Sequence, residues 1–464
     1  MFSPILLVTL YYVCKKIRNK IKCDMKILSL FLISLMFFIS CSEESSVELR
    51  KFPYPYKAAF TIASDVDDTD SKDELVHIHQ IINSKKNGLN LDIGDSFWMY
   101  NEQREDMKDS LYDIHSFYKK FSGPTPFLGI SIFDGLSFTE SKDAGVIKNL
   151  IKKGFIDALH SYGHFAANTF KREFAVNALK YLKENNLKFD VWIQHGGHEN
   201  TNNVGPWPWQ LGDNPGTKEY HTDLTVPFGV KFYWTGQMTH CIGQNSNFNL
   251  ETSVKQIVEW LQDFYINRGT PIYKHNNDLV TVLTLDDGQK IFDFVRYINR
   301  WGKYEITDEA SLKFQLNPEI LDKLIDNEGY LIQYTHLGAN YGYPYLSYET
   351  MELLEYAKQK QDAGELLVST TSKLLNYYVH RKYLNWDYEL KNNHLTINIK
   401  NISNEVEGEY IPTERELEGI TFYVPENADC EILLNGESME FIENPKDYEG
   451  RKSISIKWNF LDYD

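Results

Sequence analysis

The sequence predicts an α/β protein, either an α/β barrel or a doubly wound sheet, followed by a small all-β module. Three observations carry this. Strand-like apolar runs alternate with amphipathic helical stretches from Ala58 to about Leu384, the pattern of parallel strands joined by crossover helices. Beyond Leu384 the hydrophobic period changes to two. The composition is that of a folded chain: 464 residues, 42% hydrophobic and 24% charged, unlike disordered or collagen-like sequences. Length alone admits up to about three domains, but one barrel can fill roughly 250 residues or more.

The first forty residues read as targeting. Residues 27–40 (ILSLFLISLMFFIS) carry no charge and are too short to span a bilayer comfortably. Met25-Lys26 supplies a start and a basic n-region, and the run ends at Cys41 before Ser42, Glu43 and Glu44. This resembles a bacterial lipoprotein signal, with Cys41 the lipidated residue. Met1–Asp24 is then an early gene start or, alternatively, a transmembrane anchor. Residues 41–57, polar and Pro-rich, are expected to form a tether.

The elements follow in order. Ala58–Ala63 is a strand and Asp73–Asn83 a helix with Leu75, Ile78 and Ile82 on one face. Phe127–Ile132 is a strand, then a helix ends near Gly154, and Phe155–Leu159 is a strand. Arg172–Asn186 is a helix and Phe189–Ile193 a strand. Val254, Ile257, Val258 and Leu261 mark another helix face. Asn317-Pro318 opens a helix, with the cap before Pro at its first position. Tyr330–Thr335 is a strand, and helices follow at Tyr348–Lys360 and Ser372–His380. In the β module, at 385–464, Leu395, Ile397 and Ile399 alternate with polar residues, and Asn435-Gly436 signals a hairpin turn.

The net charge of −17 argues against nucleic acid or an anionic membrane surface as the main partner. Without residues 1–40, 42 basic residues face 64 acidic ones, a net −22. Cys14 and Cys23 then go, Cys41 is the lipid site, and only Cys241 and Cys430 remain, so no disulfide framework is indicated. Aromatic residues reach 14%, which suits sugar stacking as well as a core.

The chemistry sits in three places. His160-Ser161-Tyr162-Gly163-His164 follows a strand, and two His at i and i+4 on a helical turn can hold one metal. Ser64-Asp65-Val66-Asp67-Asp68 follows the first strand, and three carboxylates so close repel one another unless solvated or set around a cation. His336 ends the apolar strand that starts near Gly329, and α/β folds place their chemistry at strand C-terminal ends.

In this order these motifs resemble the polysaccharide deacetylases, the NodB-homology domains of carbohydrate esterase family 4, over roughly residues 55–380. The family's acidic first motif, its H-[ST]-x-x-H second motif and its last strand ending in His are matched at Asp65–Asp68, His160–His164 and Leu331–His336. The resemblance implies a distorted (β/α) barrel at 58–384; the period-two stretch at 385–464 is read as a small sandwich-like β domain. It implies Asp65 as general base, Asp67, His160 and His164 as ligands of one divalent ion, and His336 as general acid. The ion is zinc first, with cobalt, nickel, manganese or iron as alternatives. The other acidic register makes Asp67 the base and Asp68 the ligand. The family's Arg-containing motif has no clean match; the corresponding stretch is Trp192–Asn200, where His195 and His198 are candidates to support the site or line the substrate path. Trp207, Trp209 and Trp234 are candidates for a sugar-stacking wall. Thr284–Gly288 matches the first motif by letter but is read as a turn.

The expected protein is thus an exported, lipid-anchored metal-dependent hydrolase removing N-acetyl or O-acetyl groups from a polysaccharide or other glycan in the bacterial cell envelope. The alternatives are an inactive carbohydrate-binding lipoprotein on the same scaffold and a glycosidase on a related barrel.

Overall fold

β1, Ala58–Ser64, is buried at all its positions, as are β2 (Gly94–Phe97), β3 (Ile156–His160), β4 (Val191–Ile193) and β5 (Phe232–Trp234). Strands covered on both faces read as continuous apolar runs, which is why the sequence announces them without alternation. The five lie parallel and in this order. A computed structural model describes residues 47–102, 129–165, 169–196, 200–246, 277–299, 308–338 and 344–464, with isolated positions between 250 and 261. The expected signal region, the start at Met25, the lipid site at Cys41 and His198 lie outside the described residues.

The sheet has eleven strands and curls. The others are β6 (Met238–Thr239), β7 (Val280–Thr284), β8 (Lys290–Phe294), β9 (Arg296–Tyr297), β10 (Tyr330–Thr335) and β11 (Leu366–Val368). β10 runs parallel to β1 from Ala59↔Tyr330 to Ser64↔Thr335, and β11 pairs with the first half of β1. β8 lies parallel to β5 and antiparallel to β7. One residue later β9 takes over, with Tyr297 paired to Thr239 on one side and to Gln333 on the other. Residues 290–297 therefore run from one end of the curl to the other, and the sheet is a curled, parallel-rich half-barrel, consistent with a distorted barrel.

Helices cover the outside. α1, Lys72–Asn83, starts where the Ser71 hydroxyl accepts from Glu74 N–H. α2, Ala144–Lys153, stops at Gly154, whose φ of 85° suits glycine. α3 is Arg172–Glu184, and α4, Pro318–Asp326, has Asn317 as its cap and Pro at the start as expected. α5 is Tyr348–Asp362 and α6 Thr371–Lys382. Two large apolar clusters, one around Trp98, Phe155 and Trp192 and one around Phe60, Ile78 and Leu331, fill the space between sheet and helices.

Three expectations need correction. The strand expected at Phe127–Ile132 is, where described, an irregular stretch in which Ser131 makes one bridge to Trp98. Val254, Ile257, Val258 and Leu261 are helical but exposed, so they do not face the core. The tether expected at 41–57 does not extend past residue 47. Glu48–Leu49 pairs with Thr421–Tyr423. Arg50 is buried, donating to the carbonyls of Phe52, Pro53 and Pro55 and pairing with Asp447 at 3.1 Å.

The C-terminal stretch forms two small sheets. In the first, β12 (Leu384–Lys391) and β13 (His394–Asn404) are antiparallel, and Asp429–Leu434 lies parallel to β13. Asn435-Gly436 makes the expected turn, with φ of 50° and 87°. The second sheet pairs Thr421–Tyr423, Ser453–Ser455 and Ile442–Asn444 with the N-terminal Glu48–Leu49. Both belong to one compact unit, Glu48–Asp464. The last residues return to the barrel: Leu461 and Tyr463 pack on its core, and Asp464 accepts from Ser84 Oγ and from the N–H groups of Lys85 and Lys86.

Candidate metal centre

The C-terminal ends of the parallel strands converge on one group of side chains, all buried except the partly exposed His336. Asp65 follows β1, His160 ends β3, His195 lies just past β4, and His336 follows β10. Asp67 comes from the short 3₁₀ turn Val66–Asp68. Asp67 Oδ2 lies 2.8 Å from His160 Nε2, and its Oδ1 lies 2.9 Å from His195 Nδ1. These three can hold a metal ion: one ligand atom from each lies within 4.8 Å of the others, and all three residues are buried.

The donor set fits a cation. His160 Nδ1 lies 3.2 Å from the Ile193 carbonyl, which can only accept, so Nδ1 carries the proton. In a neutral ring Nε2 is then a lone pair aimed at Asp67 Oδ2 and, at 3.2 Å, at His195 Nδ1. Such a convergence of acceptors out of water is stable only with a proton or a metal ion among them. Burial pushes the Asp67 carboxyl up, but His160 and His195 together hold it well below the usual carboxylate range. Burial lowers His160, and the Asp67 and Asp65 carboxylates overcome it and raise the imidazole. His195 stays lowered, because burial outweighs Asp67.

His164 stands one ring further out. Its Nδ1 lies 2.9 Å from His195 Nε2, and burial followed by the neighbouring His195 lowers it to about 3. The helical turn expected for His160–His164 is not formed. Ser161 has φ 53° and Gly163 φ 131°, and Gly163-His164 forms a short strand beside Tyr100-Asn101. Hence His195, rather than His164, completes the group around Asp67.

Two pairs flank this group. Asp65 is 1% exposed; its Oδ2 receives Arg296 Nη2 at 2.9 Å and its Oδ1 receives Ser96 Oγ at 3.2 Å. Arg296 is fully buried with Trp234 and Tyr334 around its guanidinium, at 4.2 and 3.8 Å from the ring centroids. Trp234 is therefore a support for Arg296 and not an open sugar platform. His336 Nδ1 lies 2.8 Å from Asp68 Oδ2, and its Nε2 lies 4.0 Å from Asp67 Oδ2. Burial lowers this imidazole, but the Asp68 hydrogen bond and the Asp67 and Asp68 charges raise it to about 9. Asp68 thus partners His336, which the register Asp67 base, Asp68 ligand does not provide for. Asp65, Asp67 and His336 form a second group of ligand-type atoms.

A run of buried asparagines fixes the loops. Asn203 accepts from His195 N–H at 3.1 Å and donates to His195 C=O at 2.7 Å. Asn202 donates to Ser161 Oγ, and Asn200 accepts from Phe165 N–H at 3.1 Å. The indole of Trp98 stacks on His160 at 5.8 Å and meets His195 edge-on at 4.8 Å. Trp207 and Trp209 stack on each other at 4.9 Å, half-buried, in a loop joined through Gln210 to Gln194 and Thr235 beyond β4 and β5. Arg296, Trp98 and the asparagines were missed in the sequence. No local spacing links Arg296 to Asp65, which lies 231 residues away.

No protein-family model, curated protein or solved structure matches the chain.

Proposed function

We propose that this chain is an exported, lipid-anchored, metal-dependent hydrolase that removes acetyl groups from a glycan, on a barrel of the NodB-homology type. The observation that carries the reading is the Asp67, His160 and His195 group with a carboxylate on one flank and a raised imidazole on the other. Those three residues would hold a divalent ion, zinc first. When bound, such an ion polarises an acyl carbonyl and lowers the pKa of water.

The chain's own groups supply the rest. Asp65, fixed by Arg296 and Ser96, is positioned to take a proton from the attacking water. His336 keeps its proton at neutral pH and gives it to the leaving amine or hydroxyl. Asp68 holds the imidazole by Nδ1 and leaves Nε2 to face substrate. The Trp207–Trp209 pair beyond β4 and β5 suits stacking on a sugar ring. Export and the lipid anchor rest on the apolar run that ends at Cys41.

Elemental analysis and acetate release from N-acetylglucosamine oligomers and acetylated polymers test the reading. About one divalent ion per chain is expected, with acetate release that Asp65→Asn abolishes while the ion is retained. Absence of an ion even after zinc or cobalt addition would make the protein a glycan binder. Reducing sugar in place of acetate would make it a glycosidase.

A further inference from the structure

We infer that the cleft between the N-terminal ends of the barrel strands and the C-terminal β segment is a second binding site, for a neutral glycan segment. It lies at the end of the strands opposite the metal centre: Asp190 and Lys231 in its wall immediately precede β4 and β5, whereas His160 and His195 sit at the far ends of β3 and β4. Its volume is about 770 Å³, enough for several sugar rings.

The lining specifies the ligand class. Four basic and four acidic side chains share the walls, and Lys231 is paired with Glu407 at 2.6 Å. The charges balance, so the cleft favours neither polyanion nor polycation. On the α6 wall the Asp190 carboxylate receives Ser372 Oγ at 2.7 Å and the Asn376 amide. With the Asn376 N–H groups taken by Asp190 and by the Ser372 carbonyl, the pair offers hydroxyl donors the remaining carboxylate and amide oxygens as acceptors. On the facing wall Phe460 is 36% exposed, and Trp458 has its ring pinned by Lys373 at 4.5 Å. His380 Nδ1 faces Glu416 C=O at 2.7 Å, and its Nε2 has no hydrogen-bond partner among the described residues; the same holds for Trp458 Nε1. An acceptor, a donor, a carboxylate–amide pair and an aromatic platform in one neutral cleft are what a polyhydroxylated ring requires.

The site does not depend on the metal reading. It would hold the protein on a polymer while the other end of the barrel acts.

The test is isothermal titration of the full chain carrying Asp65→Asn, which prevents turnover, with cellohexaose and with the hexamer of N-acetylglucosamine. Polygalacturonate serves as the charged control. Saturable binding of a neutral hexamer is expected, weakened tenfold or more by Asn376→Ala and by Phe460→Ala. Both cleft positions are partly exposed, and an unchanged melting temperature verifies the fold of each variant. Binding of neither neutral hexamer, preference for polygalacturonate, or binding indifferent to both cleft substitutions would overturn the inference. Absence of acetate release from the chain with Asp65 intact, with cleft binding present, would sink only the proposed function.

Discussion

His195 and His164 share one hydrogen bond, yet they stand in different relations to Asp67. His195 meets the carboxylate directly at 2.9 Å, whereas the Nδ1 of His164 meets His195 Nε2. Partners that orient a ligating imidazole typically contribute about 10–100-fold to metal affinity. His160→Ala and His195→Ala should therefore lose stoichiometric metal, while His164→Ala should bind one ion at saturation with roughly 10–100-fold weaker affinity. Titration with a chromophoric chelator separates the outcomes, and equal loss in all three variants would return His164 to the ligand set. A second residue-scale prediction concerns Glu74. Burial first, and then the nearby Asp70 carboxylate, push its carboxyl from 4.5 to about 9. The folded chain thus holds a proton that the unfolded chain releases. The resulting stability is complete below the unfolded value and is lost as pH rises toward 9. Glu74→Gln should leave urea stability unchanged at pH 4 and raise it by about 1–3 kcal/mol at pH 8. An equal effect at both pH values would mean that the charge is not the cause. Neither effect was legible beforehand: the sequence shows which residues ionise, not which side chains the fold leaves out of water.

At the scale of elements, the second motif was visible and its conformation was not. HSYGH has the spacing of two imidazoles on a helical turn, but the pattern is blind to Ser161 and Gly163 adopting positive φ. The turn instead brings Gly163 against β2's continuation: a Cβ there would lie 1.9 Å from Tyr100 O. Gly163→Ala should accordingly destabilise by at least about 3 kcal/mol or prevent soluble expression, and a melting temperature near that of wild type would refute this. Strands were legible where burial on both faces made them apolar, as at Ala58–Ser64 and Tyr330–Thr335. Helix starts were legible where a cap was written locally, as at Asn317-Pro318. Arg296 was not, because the register of β9 against β6 and β10 decides its placement. The asparagine turn was equally hidden, since Asn200, Asn202 and Asn203 look like an ordinary polar loop.

Across the whole molecule, the N-terminal residues expected to be a tether and the C-terminal tail both turn out to belong to the fold. Glu48–Leu49 is a strand of the second small sheet, and Leu461 N–H donates to Asp92 while Tyr463 OH donates to Val76 C=O. The switch to period two at Leu384 was visible, but the return of the last residues to the barrel was not, because long-range docking leaves no local pattern. Removal of residues 461–464 should lower the melting temperature by about 2–4 °C or more. It should leave metal content unchanged, because the tail sits at the opposite end from the centre. Calorimetry with elemental analysis checks both halves, and loss of metal on truncation would show that the two ends are coupled.

The curl of the sheet is joined through Tyr297, and the residue before it is Arg296. From that seam Arg296 reaches across β10 to the carbonyl of Ala63 and the carboxylate of Asp65. The same guanidinium therefore ties β9 to the end of β1 and holds the proposed base. A change at this position would free Asp65 and also remove the bond to the Ala63 carbonyl, so it would act on the proposed base and on the end of β1 together. Variation of the proposed reaction that keeps both bonds is therefore left to the loops beyond the strand ends.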